Sequence, residues 1–192
     1  RGRAEALGEL KLGMTRTTTL VERLLAVARL DSATIGFAKE PTDLIGLLEK
    51  ARQEVLPLAQ ERGIELHVEA EPPAQVMGEN RSLSSLMVNL LENALRYTPQ
   101  GGRVFASVAP SRNGARLTVI DTGPGIPAAE RTRVFERFHR VPGTTAPGSG
   151  LGLAIVKRVA DLHGATVKID GAPGGGALIT VDFPPATGPS PS

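Results

Sequence analysis

The chain contains no cysteine, no tryptophan and a single tyrosine among its 192 residues. The absence of cysteine excludes disulfide bonds and thiol chemistry, and it fits a reducing compartment. Aromatic residues make up only 3% of the chain, so a core must be packed mainly from Leu, Val, Ile and Ala. The hydrophobic fraction of 41% is sufficient for one domain with a helical appendage.

Long apolar runs and an excess of one charge are also missing. No segment approaches the roughly 18 to 20 apolar residues of a transmembrane helix, and no signal peptide is recognisable. The 22 basic and 20 acidic residues give a net charge of +2, and no basic run has interleaved aromatics. We therefore expect a soluble chain that binds no nucleic acid and makes no membrane contact of its own.

The first informative segment is NLLENALRYTP, which begins at Asn89. Asn89 and Asn93 are four positions apart and share one face of a helix, whereas Leu86, Leu90 and Leu91 lie toward a core. Magnesium prefers oxygen ligands and takes only one or two protein groups beside nucleotide phosphates. Asn93 is the first choice for such a ligand, with Asn89 beside it. The alternative is that these residues merely cap or hydrate a helix.

The second segment is DTGPGIP, which follows the alternating sequence RLTVID. This pattern predicts a strand that delivers Asp121 to its carboxyl end, where Gly123 and Gly125 allow a sharp turn close to a ligand. An ionised carboxylate only accepts hydrogen bonds, so Asp121 can receive one from the adenine amine, whereas guanine would present an oxygen at that position. The alternative is a turn in which Asp121 caps its own backbone, and that geometry does not exclude the same role.

The third segment is GSGLGLAIV, in which Gly148, Gly150 and Gly152 precede a helical pattern that ends at Gly164. Free N–H groups at such a helix start bind anions, and the helix dipole adds to the attraction. We expect the triphosphate here. The spacing matches neither the Walker A pattern nor a dinucleotide fingerprint.

Together the three segments resemble the N box, G1 box and G2 box of sensor histidine kinases, in the ATPase superfamily that includes gyrase, Hsp90 and MutL. The stretch RVPGTTAPGSGLGLAIVKRVADLHGA looks most like sensors of the quorum-sensing and polymyxin-resistance type. The resemblance implies an α+β sandwich, with a mixed β-sheet, helices on one face, and a preceding helical bundle segment. It also implies ATP and Mg²⁺ as cofactors, with Asn93 as the metal ligand, and transfer of the γ-phosphoryl group to a histidine.

The segment VFERFHRVPGTTAPGSG corresponds to the F box, with Val134, Phe135 and Phe138 as apolar anchors after a short helix, followed by a mobile ATP lid. Arginines are expected at phosphates, and Tyr97, Ile126 and Leu153 against adenine. The catalytic residues would be Asn89 and Asn93. The expected ATP-binding set is Asn89, Asn93, Arg96, Tyr97, Asp121, Gly123, Gly125, Ile126, Arg137, Phe138, Arg140, Ser149, Gly150, Leu151, Gly152 and Leu153.

Apolar or small residues at three- and four-residue spacing predict a bundle seam near the start of the chain, from Leu7 through Leu10, Met14, Thr17, Val21 and Leu24 to Ala28. By resemblance, residues 1–40 are the second helix of a dimerisation and phosphotransfer hairpin, residues 41–184 the ATP-binding domain, and the Pro- and Ser-rich residues 185–192 a disordered tail. Within the domain, we predict helices from residues 41–43 to Gly63, from about Asn80, and after Gly152. The predicted strands lie at residues 64–70, 166–170 and 177–183 and near Val76, Val104 and Leu117.

The sequence also departs from the family pattern. None of His67, His139 and His163 lies in a His-Glu/Asp-x-x-x-Thr/Ser-Pro acceptor motif, so we expect structural or surface roles for them. Arg96 replaces the usual Lys, and Ala177 and Leu178 lie where a Thr is common. The chain is therefore expected to be the C-terminal part of a membrane-anchored sensor, on the cytoplasmic side of the bacterial inner membrane. The intact sensor would be a homodimer that passes phosphate to the receiver domain of a response regulator.

Two other classes of protein compete with this interpretation. ATPases of the gyrase, Hsp90 and MutL type use a Glu at the position of Asn89, and an amide cannot accept a proton from water. The second class is a module that holds nucleotide without catalysis. The presence of Asn93, Asp121 and the Gly segments argues against it, although a chain without the acceptor histidine can behave in this way.

Overall fold

The computed structural model describes residues 38–112, 114–144 and 148–186. The strands are β1 (Glu40–Asp43), β2 (Glu65–Ala70), β3 (Gln75–Gly78), β4 (Arg103–Ser111), β5 (Gly114–Asp121), β6 (Thr166–Gly171) and β7 (Ala177–Phe183). The helices are α1 (Leu44–Glu61), α2 (Asn80–Tyr97) and α3 (Gly152–Leu162), and two 3₁₀ turns, Ala128–Glu130 and Arg133–Phe135, lie between β5 and α3. The predicted seam from Leu7 to Ala28 and residues 187–192 of the predicted tail lie outside the described residues.

The main sheet has five strands in the order β2-β4-β5-β7-β6. Strand β2 pairs with β4 in parallel, with Leu66 opposite Val104. The other neighbours are antiparallel, and Ile179 of β7 lies between Val119 of β5 and Ile169 of β6. The predicted mixed sheet is therefore confirmed, and each predicted strand is present.

All three helices cover one face of this sheet. Helix α2 lies between α1 and α3, and the three helices contact the sheet through β2, β4, β5 and β6. Alternate residues of the three central strands point toward the helices and are buried, as a half-covered sheet requires: Val104, Ala106, Val108, Ala115, Leu117, Val119, Ala177, Ile179, Val181 and Phe183. The α+β sandwich with helices on one face is confirmed.

Among the elements of the described residues, strand β1 was not predicted from the sequence, since the first helix was predicted to begin between residues 41 and 43. Residues 40–43 instead pair antiparallel with β3, and the buried Thr42 hydroxyl donates to Gly78 O at 3.1 Å. Helix α1 begins after Asp43, whose carboxylate accepts from the N–H groups of Ile45 at 3.0 Å and Gly46 at 3.2 Å. The Asp43 side chain thus satisfies two of the free N–H groups at the helix start.

Helix α2 begins after Glu79, as predicted, and is tied there to the end of α3. Glu79 accepts from the N–H groups of Arg81 at 3.1 Å and Ser82 at 2.7 Å. Burial raises the pKa of Glu79, but these hydrogen bonds outweigh it and hold the pKa below its usual value. The buried His163 at the end of α3 accepts from Glu79 N–H through Nε2 at 3.1 Å and donates from Nδ1 to Val159 O at 2.7 Å. His163 therefore has a structural role, which is one of the two kinds of role expected for the histidines.

Candidate functional site

Asp121 lies at the carboxyl end of β5, as predicted, and is 7% exposed. Its Oδ1 accepts hydrogen bonds from the N–H groups of Gly123 at 2.8 Å and Ala177 at 3.2 Å. The first bond is the local turn that the sequence left as an alternative, and the second ties the carboxylate to the start of β7. Burial raises the pKa of Asp121, while the two N–H groups act in the opposite direction.

Glycines bring three segments of backbone into close contact around Asp121. A Cβ at Gly123 would lie 2.7 Å from Tyr97 O, at the end of α2. A Cβ at Gly125, where φ is +72°, would lie 2.7 Å from Gly176 O, and one at Gly176 would lie 1.8 Å from Asp121 O. Gly176 was absent from the predicted site, although the run of three glycines before β7 was an available signal.

The Asn face of α2 lies beside the start of α3. Asn89 Nδ2 donates to Ser85 O at 2.7 Å, and Asn89 Oδ1 lies 3.5 Å from the position that a Cβ would take at Gly152. Further along the helix, Arg96 Cδ lies 3.5 Å from the corresponding Cβ position of Gly148. The structure thus brings the first and third segments together. The predicted core residues of the same helix, Leu86, Leu90 and Leu91, are completely buried.

The start of α3 has the properties of an anion site. The residue before it, Leu151, makes no capping hydrogen bond through its side chain, so the N–H groups of the first turn have no side-chain acceptor from it. Within the described residues, the buried Ser149 Oγ has no hydrogen-bond partner. A buried hydroxyl without a partner is costly, and an oxygen-rich ligand at this helix start would satisfy it. The residues present therefore fit a bound phosphate.

One predicted contact is limited to the backbone, and another needs correction. The Leu151 side chain is completely buried, so only its backbone can face a ligand. Phe138 was predicted as an apolar anchor beside Val134 and Phe135, but its side chain is 57% exposed, whereas Val134 is buried. Phe138 adopts a positive φ of 65°, and its N–H donates to Gly150 O at 2.9 Å. The short helix expected here consists of the two 3₁₀ turns.

The remaining predicted residues surround the same region. Ile126, Tyr97, Arg96 and Asn93 are half-buried, Leu153 is buried, and Arg137 and Arg140 are exposed. Arg96 lies 3.5 Å from Glu92 as an ion pair. Among the described residues, no three His, Asp or Glu side chains are grouped as a metal site. A Mg²⁺ ion held by an Asn oxygen, phosphates and water requires no such group.

A cavity of about 380 Å³ lies at the other end of β5. Its lining includes Arg112, Arg116, Lys168 and Asp182 and none of the predicted ATP-binding residues. Five residues of strand, or about 17 Å, separate Arg116 from Asp121. The site that the three segments form around Asp121 and the start of α3 is therefore distinct from this cavity.

One family model matches more than half of the chain. Residues 78–187 match the model of the family described as histidine kinase-, DNA gyrase B-, and HSP90-like ATPase. The chain belongs to this family. It contains the catalytic domain of sensor histidine kinases, as the resemblance implied.

Two similar proteins are bacterial sensor proteins. The chain is 36% identical over 186 residues to the swarming motility regulation sensor protein RssA of Serratia marcescens, covering 95% of this chain and 39% of RssA. It is 37% identical over 190 residues to the sensor protein kinase PmrB of Pseudomonas aeruginosa, covering 98% of this chain and 40% of PmrB. The chain thus spans about two fifths of the length of these relatives. In the part that the structure describes, no helix is long and apolar enough to cross a membrane.

Solved structures agree with the fold. The mycobacterial sensor histidine kinase MprB is 38% identical with a TM-score of 0.68, covering 77% of this chain and 97% of MprB. Full-length ShkA in complex with AMPPNP is 33% identical with a TM-score of 0.78, covering 90% of this chain and 36% of ShkA.

Proposed function

We propose that this chain binds ATP and Mg²⁺ and transfers the γ-phosphoryl group to a histidine on a dimerisation hairpin. The observation that carries the proposal is the convergence of Asp121, the Asn face of α2 and the start of α3. We assign these three parts to the adenine base, the Mg²⁺ ion and the phosphates of one bound Mg²⁺–ATP, respectively. In the intact protein, the hairpin would form a homodimer on the cytoplasmic side of the membrane, and an aspartate of a response regulator would receive the phosphate.

Adenine recognition is assigned to Asp121. Its Oδ1 is oriented by two backbone N–H groups, which favour the ionised form and fix the carboxylate plane. The carboxylate accepts a hydrogen bond from the adenine amine, whereas the guanine carbonyl oxygen at that position would leave acceptor facing acceptor. Ile126, Tyr97 and Leu153 supply apolar contacts beside it.

The triphosphate is assigned to the N-terminal turn of α3. The N–H groups of that turn and the buried Ser149 hydroxyl supply donors, and the helix dipole favours the negative charge. Arg96, Arg137 and Arg140 would add positive charge from α2 and from the segment before α3. A bidentate guanidinium suits phosphate geometry better than an ammonium group does.

Asn93 is proposed as the Mg²⁺ ligand, with Asn89 beside it. The ion, when bound, would neutralise negative charge on the γ-phosphoryl group that is transferred and on the ADP that leaves. The protein residues contribute positioning of the γ-phosphate in line with an incoming imidazole, together with charge neutralisation. No group of this domain needs to form a covalent intermediate.

A hydrolase of the gyrase type is the competing activity, and the geometry at Asn89 disfavours it. Its Nδ2 donates to Ser85 O at 2.7 Å, so the side chain presents an amide oxygen toward α3. An amide has too little basicity to accept a proton from an attacking water. We therefore expect slow hydrolysis and efficient transfer when an acceptor histidine is supplied.

The test is phosphotransfer to a separately supplied hairpin that carries the acceptor histidine. With radiolabelled ATP and Mg²⁺, the chain should label the hairpin but not itself, and Asn93→Ala should abolish the transfer. Asn80→Ala is the matched control, because it makes the same change about 20 Å away at the start of the same helix. Label on the isolated chain would contradict the assignment of the acceptor, and no label on any cognate hairpin would favour the nucleotide-holding module.

A further inference from the structure

Glu130 and His139 form a partly buried pair beside the segment that leads into α3. His139 Nε2 lies 2.6 Å from Glu130 Oε2, and the two side chains are 12% and 15% exposed. The second carboxylate oxygen, Oε1, lies 3.3 Å from an Arg133 guanidinium nitrogen. Both oxygens of Glu130 are therefore engaged, and this fixes the orientation of the carboxylate and of the His139 ring.

The backbone next to His139 is also in contact with Gly150. Phe138 is the one non-glycine residue with positive φ in the described part of the chain, a conformation that costs free energy and persists only when its surroundings impose it. Its N–H donates to Gly150 O at 2.9 Å. A Cβ at Gly150 would lie 2.7 Å from Phe138 C and 2.9 Å from His139 O, so the two backbones are in direct contact.

Residues 138 and 139 are thus held by two contacts, one through the His139 side chain and one through the backbone. Arg137 and Arg140, two of the three arginines assigned to the phosphates, are the residues that flank them. The path of the backbone at residues 138 and 139 determines the positions from which the Arg137 and Arg140 side chains extend. A change at the Glu130–His139 pair would therefore move both arginines relative to the start of α3.

We propose that Glu130 and His139 are positioning residues that hold Arg137 and Arg140 toward the phosphates of the bound nucleotide. The inference rests on the proposed function, since it takes the phosphates to lie at the start of α3. Neither residue touches the nucleotide in this account. Their effect should consequently appear in triphosphate binding and transfer rather than in adenine recognition or in global stability.

The test compares the affinities of the full 192-residue chain for Mg²⁺–ATP and for adenosine by titration calorimetry. We expect Glu130→Ala and His139→Phe each to raise the dissociation constant of Mg²⁺–ATP about tenfold, a coupling of the size found for contacting residues. The affinity for adenosine should not change. The double variant should be no weaker than either single variant, and Glu130→Gln, whose amide oxygen still accepts from the His139 ring, should recover most of the affinity.

The control is His67→Phe, which removes another His–Glu pair, in strand β2. His67 Nε2 lies 3.6 Å from Glu65 Oε2, and the two side chains are 60% and 68% exposed. This replacement should leave both affinities unchanged, and the melting temperature of every variant should be measured alongside. Additive losses in the double variant, or an equal loss for adenosine and ATP, would overturn the positioning role. Failure of the parent chain to bind Mg²⁺–ATP would instead contradict the proposed function, whereas binding by the parent with unchanged variants would contradict this inference alone.

Discussion

The replacement Asp121→Asn separates the structural role of this residue from its proposed role in base recognition. In the folded chain, both hydrogen bonds from Gly123 and Ala177 are accepted by Oδ1, and an amide oxygen can accept the same two bonds. The replacement also removes a carboxylate whose burial raises its pKa. We therefore expect the free energy of unfolding to change by no more than about 1 kcal/mol.

Nucleotide binding should respond much more strongly. A hydrogen bond to a charged group contributes about 1.5 to 3 kcal/mol, which corresponds to a loss of roughly tenfold to a hundredfold in ATP affinity. Inosine triphosphate has a carbonyl oxygen in place of the adenine amine, so the parent chain should bind it far more weakly than ATP. In Asp121→Asn, the amide N–H₂ can donate to that carbonyl, and the preference for ATP should shrink or reverse.

Titration calorimetry with ATP, inosine triphosphate and GTP at fixed Mg²⁺ measures these ratios. The matched control is Asp182→Asn on β7, which removes another carboxylate of the same sheet, one paired with Arg116 at 2.6 Å, and should leave all three affinities unchanged. If Asp121→Asn bound ATP as tightly as the parent, or if the parent bound GTP and ATP equally, Asp121 would not be the residue that reads the base.

Three further results are expected. Burial lowers the pKa of His163 below its usual 6.5. As pH falls, the unfolded chain therefore binds this proton first, and the free energy of unfolding should decrease below about pH 6.5. In urea unfolding from pH 8 to 5, this decrease should be smaller in His163→Asn than in the parent, whereas His67→Asn should behave like the parent. Gly101 and Gly176 both have positive φ, but only a Cβ at Gly176 meets an atom, at 1.8 Å. Gly101→Ala should therefore cost about 1–2 kcal/mol of unfolding free energy and Gly176→Ala clearly more, and equal costs would argue against the close contact. Ser149→Ala should lower calorimetric affinity for ATP but not for adenosine, since the hydroxyl that it removes has no partner among the described residues; equal losses for both ligands would contradict a phosphate contact.

Local patterns in the sequence were sufficient for most elements of the fold. Strand β7 was predicted with its observed bounds, and its residues alternate between buried and half-buried over seven positions. The start of α2 was predicted at about Asn80, and in the structure Glu79 caps the helix there. Strand β1 gave no such signal, since it has four residues, includes Pro41, and is defined by its pairing with β3.

The candidate site was predicted less completely for a related reason. Spacing along a helix placed Asn89 and Asn93 on one face, but the contact between Asn89 and Gly152 depends on how α2 and α3 pack. Phe138 was misplaced because hydrophobicity alone predicted burial, whereas a positive φ accompanies its exposure. Gly176 was missed because its role depends on contact with Asp121, more than fifty residues earlier in the chain.

The parallel pairing of β2 with β4 has a consequence for the order in which the domain folds. Glu65 pairs with Arg103, and β3 and the whole of α2 lie between them in the chain, whereas Ser111 of β4 pairs with Gly114 of β5, only three positions later. Closing the longer loop loses more chain entropy before any contact is gained. The β4–β5 hairpin should therefore acquire protection against hydrogen exchange early in refolding. Strand β2 should join the sheet only after α2 has formed and packed.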